Sequence, residues 1–190
     1  MTRYVRSMLY FGCVLLAACK PATETPAPPV VAAPAPAAPA ATAAAKPKPE
    51  FPGLKITTFD GKPFDLAEHR GHWVVVNFWA TWCTPCLAEI PDLAAFDKSR
   101  DDVEVIGLAF EDIERADMEA FLKEHPIPYP IAVLDVYNPP ADFDTPPGLP
   151  MTYLIAPDGK VAKQFLGPTT AKELEQLIRA AGKPATNSRP

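Results

Sequence analysis

The chain has 190 residues, a formal net charge of −5 and hydrophobic residues at 48% of its positions, so it can bury the core of one ordinary domain. Basic residues are nowhere clustered enough to indicate a nucleic-acid-binding surface, and we expect no nucleic-acid partner. Proline occurs at 25 positions, and its distribution divides the chain into distinct regions.

The first 18 residues resemble the signal peptide of a bacterial lipoprotein. Two arginines precede a short apolar run, and this run is shorter than the roughly 20 residues that a transmembrane helix needs. The sequence Leu-Ala-Ala-Cys that ends at Cys19 resembles a lipobox, where cleavage leaves the cysteine as the lipid-bearing first residue. We therefore predict a signal peptide over 1–18 and lipidation of Cys19. An ordinary signal peptide with a chance cysteine is the alternative.

A proline-rich and alanine-rich region follows. Residues 21–50 contain nine prolines and twelve alanines, a composition that cannot bury a core and that favours extended polyproline II structure. At about 3.1 Å per residue, such a linker reaches about 90 Å. We predict that the lipidated cysteine and its linker occupy 19–50, a folded domain 51–184 and a disordered tail 185–190. A proline-rich ligand for another domain is the alternative interpretation of the linker.

The folded domain is predicted to begin with a hairpin, because Leu54–Thr58 and Lys62–Phe64 flank an Asp-Gly turn. The hydrophobic run Trp73–Trp79 is typical of a buried strand, and helical spacing from Cys83 to about Ser99 predicts the first long helix.

The rest of the domain alternates strands and helices, then ends in a hairpin and a helix that starts with a capping box. This order predicts an α/β fold with a mixed sheet. The predicted elements are a strand Val103–Ala109, a helix Arg115–Glu124, a strand Ile131–Asp135, a hairpin of Thr152–Ala156 and Val161–Leu166, and a helix from Thr170 to Gly182.

Two cysteines separated by Thr84 and Pro85 stand where the predicted central strand gives way to the first helix. Unpaired N–H groups and the positive end of the dipole at a helix N-terminus stabilise a thiolate. Cys83 and Cys86 therefore indicate thiol–disulfide exchange. A structural disulfide is the alternative, although so short a loop contributes little through loop entropy. Cys13 lies within the predicted signal peptide.

Two segments carry motifs of a known family. Asn77–Cys86 has the sequence NFWATWCTPC, and Gly148–Ile155 has the sequence GLPMTYLI. The first resembles the active-site signature of the TlpA/ResA-like membrane-anchored thioredoxins, and the second resembles their cis-proline segment. The resemblance covers about residues 51–182. It implies a thioredoxin fold, in which helices flank a mixed β-sheet, with an N-terminal β-hairpin and a central αβ insertion. The proline pairs at 139–140 and 146–147 depart from the family, where a short helix usually precedes the cis-proline.

The resemblance also implies roles for individual residues. Cys83 is the expected exposed nucleophile, and Cys86 is the expected sheltered thiol that resolves a mixed disulfide. A cis bond before Pro150 would expose the backbone of Leu149, with which a substrate peptide can pair as an added strand. The predicted substrate-binding residues are Trp82, Pro85, Leu149 and Pro150.

Glu89 is the third predicted catalytic residue. It lies three residues after Cys86, so helical spacing places it near the site. In TlpA/ResA-like proteins an acid at this position tunes the cysteines. Ordinary thioredoxins carry a buried aspartate where this chain has Asn77, so another proton acceptor is needed. We predict that Glu89 exchanges protons with Cys86 or raises the pKa values of the cysteines by charge repulsion. An exposed helix glutamate is the alternative.

The implied function is that of an extracytoplasmic, membrane-tethered thiol:disulfide oxidoreductase that reduces disulfides of exported proteins, with cytochrome c maturation as one candidate process. The resemblance implies a CcdA- or DsbD-like membrane protein as electron donor. We expect a monomer without metal or cofactor, anchored on the periplasmic side of the inner or the outer membrane.

Two other functions share the fold. A peroxiredoxin-like peroxidase is expected to carry a threonine three residues before its reactive cysteine (T-x-x-C). In this chain, Ala80 lies three residues before Cys83. A Sco-like copper chaperone uses C-x-x-x-C with a late histidine, whereas this motif is one residue shorter and the last histidine is His125. His69 and His72 have a spacing that could bind a metal, but a surface turn is their expected location.

Overall fold

The computed structural model of the protein describes residues 48–182. The predicted signal peptide at 1–18, the lipidation at Cys19, the linker up to residue 47 and the tail 185–190 lie outside these residues. Within the described range, no helix has the length and the apolar character that crossing a membrane requires.

The described residues form seven strands and three α-helices, together with a short 3-10 turn at Leu66–His69. In chain order the elements are β1 (Lys55–Thr57), β2 (Pro63–Asp65), β3 (Trp73–Trp79), α1 (Thr84–Ser99), β4 (Val103–Ala109), α2 (Arg115–Glu124), β5 (Ile131–Val133), β6 (Met151–Ile155), β7 (Val161–Leu166) and α3 (Ala171–Ala181).

A five-stranded mixed sheet of order β5-β4-β3-β6-β7 forms the centre of the domain, while β1 and β2 pair as a separate antiparallel hairpin. β3 runs parallel to β4 and antiparallel to β6, and all seven of its residues are buried. A strand covered on both faces needs apolar residues at nearly every position, which explains the continuous hydrophobic run. The predicted α/β fold with a mixed sheet and an N-terminal hairpin is confirmed.

The two faces of the sheet are covered by different elements. Alternate residues of β3 point to opposite faces, so they belong to two different clusters. Val75 and Trp79 join a core cluster that includes residues of all three α-helices, whereas Val76 and Phe78 join a second cluster. None of the three α-helices contributes a residue to the second cluster. The residues that cover this face are Leu54, Phe64, Leu66, Leu134 and Phe143. The hairpin and the proline-containing segment between β5 and β6 thus replace helices on one face.

Element boundaries differ from the predicted ones by one or two residues. β5 ends at Val133 because the chain turns at Asp135, whose side chain accepts a hydrogen bond from the N–H of Tyr137. β6 is shifted by one residue towards the N-terminus, since Met151 already pairs with Phe78. The predicted capping box at the start of α3 is present.

The described chain joins the sheet at the end that lies away from the cysteines. The Glu50 carbonyl accepts a hydrogen bond of 2.9 Å from the N–H of Val161, the first residue of β7. Val161 pairs with Ile155, and Ile155 pairs with Val74 near the start of β3. Cys83 follows the opposite end of β3. The length of the sheet therefore separates Glu50 from the cysteine pair.

Gly107 is required by close packing in the middle of β4. A Cβ atom there would lie 3.0 Å from Trp79 Nε1 and 3.2 Å from both Ile131 Cγ2 and Tyr129 Cε2. These neighbours are buried and have little room to move. We expect Gly107→Ala to lower the free energy of unfolding by about 1–3 kcal/mol in a denaturant titration. Gly148→Ala is the matched control, because a Cβ there meets nothing within 4 Å. Equal losses in both variants would contradict the packing argument.

Candidate active site

The two cysteines of the C-x-x-C motif lie at the N-terminal end of α1. Cys83 is the N-cap residue, and its Sγ accepts a hydrogen bond of 3.3 Å from the N–H of Cys86. Pro85 lies in the first turn of α1. Proline has no backbone N–H, and an N–H in the first turn has no hydrogen-bond partner within the helix, so the proline costs the helix nothing there. The two sulfur atoms form a disulfide, with the Cα atoms 5.2 Å apart. The helix N-terminus provides the electrostatic stabilisation that a thiolate at Cys83 needs.

The two cysteines differ slightly in exposure. Cys83 is 4% exposed and Cys86 is 0% exposed. The prediction of an exposed Cys83 is therefore wrong for the disulfide form, because its sulfur is bonded to Cys86 and lies against the first turn of α1. Cys83 is still the slightly more exposed of the two residues. Trp82, directly before it, is 68% exposed and lies on the surface of the site.

Pro150 lies beside the end of β3 that leads to the cysteines. The Leu149–Pro150 peptide bond is cis, as predicted. Met151, the next residue, pairs with Phe78, which is the last but one residue of β3. The Pro150 carbonyl accepts a hydrogen bond of 2.8 Å from the N–H of Gly167. Fold and motif thus bring the predicted substrate-binding segment to the same edge of the sheet as Cys83, and its role in binding stays a prediction.

Glu89 is buried at the centre of a hydrogen-bond network. It is 4% exposed, so the alternative of an exposed helix glutamate is wrong. One carboxylate oxygen accepts a hydrogen bond of 2.8 Å from Asn77 Nδ2, and the other accepts one of 2.8 Å from the N–H of Thr169. Burial raises the pKa of Glu89 above its usual value, and the two hydrogen bonds offset part of that rise.

Asn77 has a role that the sequence comparison with thioredoxins did not predict. Its Nδ2 group donates both to Glu89 and, at 2.9 Å, to Thr152 Oγ1. From the sequence, Asn77 is only an amide in place of the aspartate of thioredoxins. However, the amide group also donates hydrogen bonds and can hold a neighbouring carboxylate. Thr169 gave no signal at all, because it contributes its backbone N–H and not its side chain.

Two further titratable groups are Tyr129, which is buried, and Asp97, which is half-buried near the C-terminal end of α1. Burial, followed by the negative charges of Glu89 and Asp97, raises the pKa of the Tyr129 phenol. Its hydroxyl has no hydrogen-bond partner among the described residues. Burial also raises the pKa of Asp97, whose carboxylate accepts a hydrogen bond of 2.8 Å from the N–H of Val105. Burial thus raises the pKa of all three groups, Glu89, Asp97 and Tyr129.

The histidines do not form a metal site with the cysteines. His69 and His72 both face Glu104, with Nδ1 to carboxylate-oxygen distances of 2.5 Å and 3.5 Å. These three residues lie near the start of β3 and β4, away from the cysteines. His125 packs its ring against Phe121 at the end of α2. Over residues 48–182, no cluster of three or more potential side-chain ligands could hold a metal ion.

Comparisons with known proteins place the chain in a family. The sequence model of the AhpC/TSA family matches residues 47–164. A thiol-disulfide oxidoreductase ResA of Bacillus cereus is 33% identical over 132 residues, which cover 68% of this chain and 75% of the relative. ResA of Bacillus subtilis is 34% identical over 130 residues, which cover 67% of this chain and 71% of the relative.

Solved structures agree with these relatives. A thiol:disulfide interchange protein of the thioredoxin family from Chlorobium tepidum TLS has 26% sequence identity and a TM-score of 0.57, and the match covers 72% of this chain and 97% of that protein. A DsbF homologue from Corynebacterium diphtheriae has 26% identity and a TM-score of 0.59, over 70% and 87% of the two chains. With the cysteine pair at the start of α1 and the cis-proline beside it, the chain belongs to the AhpC/TSA family and to its TlpA/ResA-like thiol-disulfide oxidoreductases.

Proposed function

We propose that this protein is an extracytoplasmic, membrane-tethered enzyme that reduces disulfide bonds in exported proteins. The observation that carries the proposal is the Cys83–Cys86 pair at the N-terminus of α1, with Cys83 as the N-cap residue and the slightly more exposed of the two. The names of the relatives support exchange between thiols and disulfides. The tether rests on the predicted signal peptide and on Cys19, and cytochrome c maturation is a candidate process by resemblance alone.

The reaction begins from the reduced pair. The Cys83 thiolate attacks one sulfur of the substrate disulfide, which forms a mixed disulfide and releases the other substrate sulfur as a thiolate. Cys86 then loses its proton and attacks Cys83 Sγ, which releases the second substrate sulfur. Two electrons have passed to the substrate, and the enzyme holds the Cys83–Cys86 disulfide. A CcdA- or DsbD-like membrane dithiol would return two electrons to the pair.

Glu89 is the proposed proton acceptor for Cys86. It lies one helical turn after Cys86, and its carboxylate is fixed by Asn77 and Thr169. A carboxyl whose pKa is raised by burial is a stronger base, once ionised, than an exposed one, and it exchanges protons closer to neutral pH. The proposed role is therefore to take the proton that Cys86 must lose in the resolving step.

The direction of the reaction is proposed from the residues between the cysteines. Thr84 and Pro85 include no histidine, the residue found at this place in strong oxidants. We expect a reduction potential below about −150 mV when the pair is equilibrated with a glutathione buffer. A potential nearer to that of DsbA, at about −120 mV, would make the protein an oxidant and would overturn the assignment as a reductase.

Cys86→Ala is expected to trap substrates on the enzyme. The variant can form the mixed disulfide at Cys83 but cannot resolve it, so covalent adducts should accumulate in cell envelopes. Non-reducing gels would display the adducts, and mass spectrometry would identify the trapped proteins. Cys83→Ala is the matched control, since it lacks the attacking sulfur. Adducts that form equally with both variants would show that Cys83 is not the nucleophile.

Glu89→Gln is expected to change how the resolving step depends on pH. In the wild type, the rate should rise as the pH increases through the raised pKa of Glu89 and its carboxyl group ionises. Without this base, the step should be slower by about 100-fold at neutral pH and should recover only as Cys86 itself ionises. Stopped-flow decay of a mixed disulfide over a range of pH measures the effect. Asp101→Asn, at an exposed acid, is the control. An unchanged pH profile for Glu89→Gln would exclude the role.

A further inference from the structure

We infer that Glu111 is a positioning residue, which fixes the loop before Cys83 so that Trp82 is presented to a protein substrate. The inference deepens the proposed function and rests on it. Glu111 follows β4, and neither the C-x-x-C motif nor the cis-proline segment includes it. Its importance is visible only in its contacts.

Both oxygens of the Glu111 carboxylate accept hydrogen bonds from a single residue. Glu111 Oε1 accepts a hydrogen bond of 2.7 Å from the N–H of Thr81, and Oε2 accepts one of 2.9 Å from the Thr81 hydroxyl. Glu111 is 8% exposed. A carboxylate with so little contact with water depends on protein donors, so the two bonds to Thr81 fix the two residues to each other.

The sheet explains why these two residues meet. β3 and β4 are parallel, so their C-terminal ends lie side by side at one edge. The N–H of Phe110 donates a hydrogen bond of 2.8 Å to the Trp79 carbonyl, which continues the pairing beyond the last residue of β4. Glu111 directly follows Phe110 after the end of β4. Thr81 lies two residues after Trp79, the last residue of β3. The carboxylate thus bridges from the end of β4 to the loop that leads to Cys83.

Trp82 depends on this bridge more than Cys83 does. The Trp82 side chain is 68% exposed, so packing alone restrains it weakly. Cys83 is restrained also by α1, because its carbonyl accepts a hydrogen bond of 3.0 Å from the N–H of Leu87. Loss of the Glu111 contacts should therefore release Trp82 and leave Cys83 at the start of α1.

An exposed indole beside a reactive cysteine suits contact with a protein partner, since tryptophan offers a large and rigid apolar surface. A small disulfide needs access only to the Cys83 sulfur. Correct placement of Trp82 should therefore matter for a protein disulfide and hardly at all for a small one. This difference separates positioning from a general loss of stability.

The test uses the full-length protein in its reduced form, with insulin as the protein disulfide and oxidised glutathione as the small one. In single turnovers, we expect Glu111→Ala to raise the insulin concentration that gives half of the maximal rate about tenfold, with the maximal rate itself within about twofold, and to leave the rate with oxidised glutathione within about twofold. Time-resolved fluorescence anisotropy should gain a fast component. Trp73 and Trp79 are buried, so the added motion would belong to Trp82.

Three variants act as controls. Glu111→Gln can keep both contacts, since its amide oxygen accepts from the Thr81 N–H and its amide nitrogen donates to the hydroxyl, and we expect values near the wild type. Thr81→Val keeps the N–H contact alone and should give a smaller shift, which matters if Glu111→Ala fails to fold. Asp112→Ala removes the neighbouring exposed acid and should change nothing.

The inference is overturned if Glu111→Ala slows both substrates equally, if Glu111→Gln is as impaired as Glu111→Ala, or if neither variant has an effect. Failure of the wild type to reduce insulin, with normal reaction towards oxidised glutathione, would overturn the proposed function instead. The anisotropy of Trp82 would still decide whether Glu111 fixes the loop.

Discussion

The buried carboxylate of Glu89 is the constraint around which the site is assembled. A carboxylate that loses water must gain hydrogen bonds from the protein, and Glu89 gains them from outside its own helix. One donor is Asn77 in the central strand, and the other is the backbone of Thr169 just before α3. Asn77 in turn holds Thr152 of β6. A displacement of any one of these elements would leave a buried polar group without its partner, so the network fixes α1 against the sheet.

Two carboxylates with proposed roles at the cysteine pair are Glu89 and Glu111, and they lie in different parts of the fold. Glu89 lies on the covered side of α1, where burial raises its pKa and makes it suited to exchanging a proton. Glu111 lies at the edge of the sheet, where both oxygens are occupied by Thr81. Glu89 is the proposed proton acceptor, and Glu111 is the proposed positioning residue. Sheet register brings both to the site, since Asn77 and Trp79 belong to the strand that ends just before Thr81 and Cys83.

The sequence is informative where a pattern repeats or a motif is short. Continuous apolar residues predict the central strand, the capping box predicts the start of α3, and the C-x-x-C segment predicts the reactive pair. Glu111 could not be found in this way, because its partner lies 30 residues earlier and only the parallel pairing of β3 and β4 brings the two together. Thr169 contributes a backbone donor, which no side-chain pattern encodes.

The place where the chain joins the domain has a consequence for the approach of other proteins. Glu50 is bonded to the start of β7, at the end of the sheet where β3 begins, whereas Cys83 follows the end of β3. A partner that docks on Trp82 and Pro150, as proposed, therefore lies at the other end of the sheet from Glu50. The length of β3 separates Glu50 from Cys83, so the chain at Glu50 does not cover the cysteine pair.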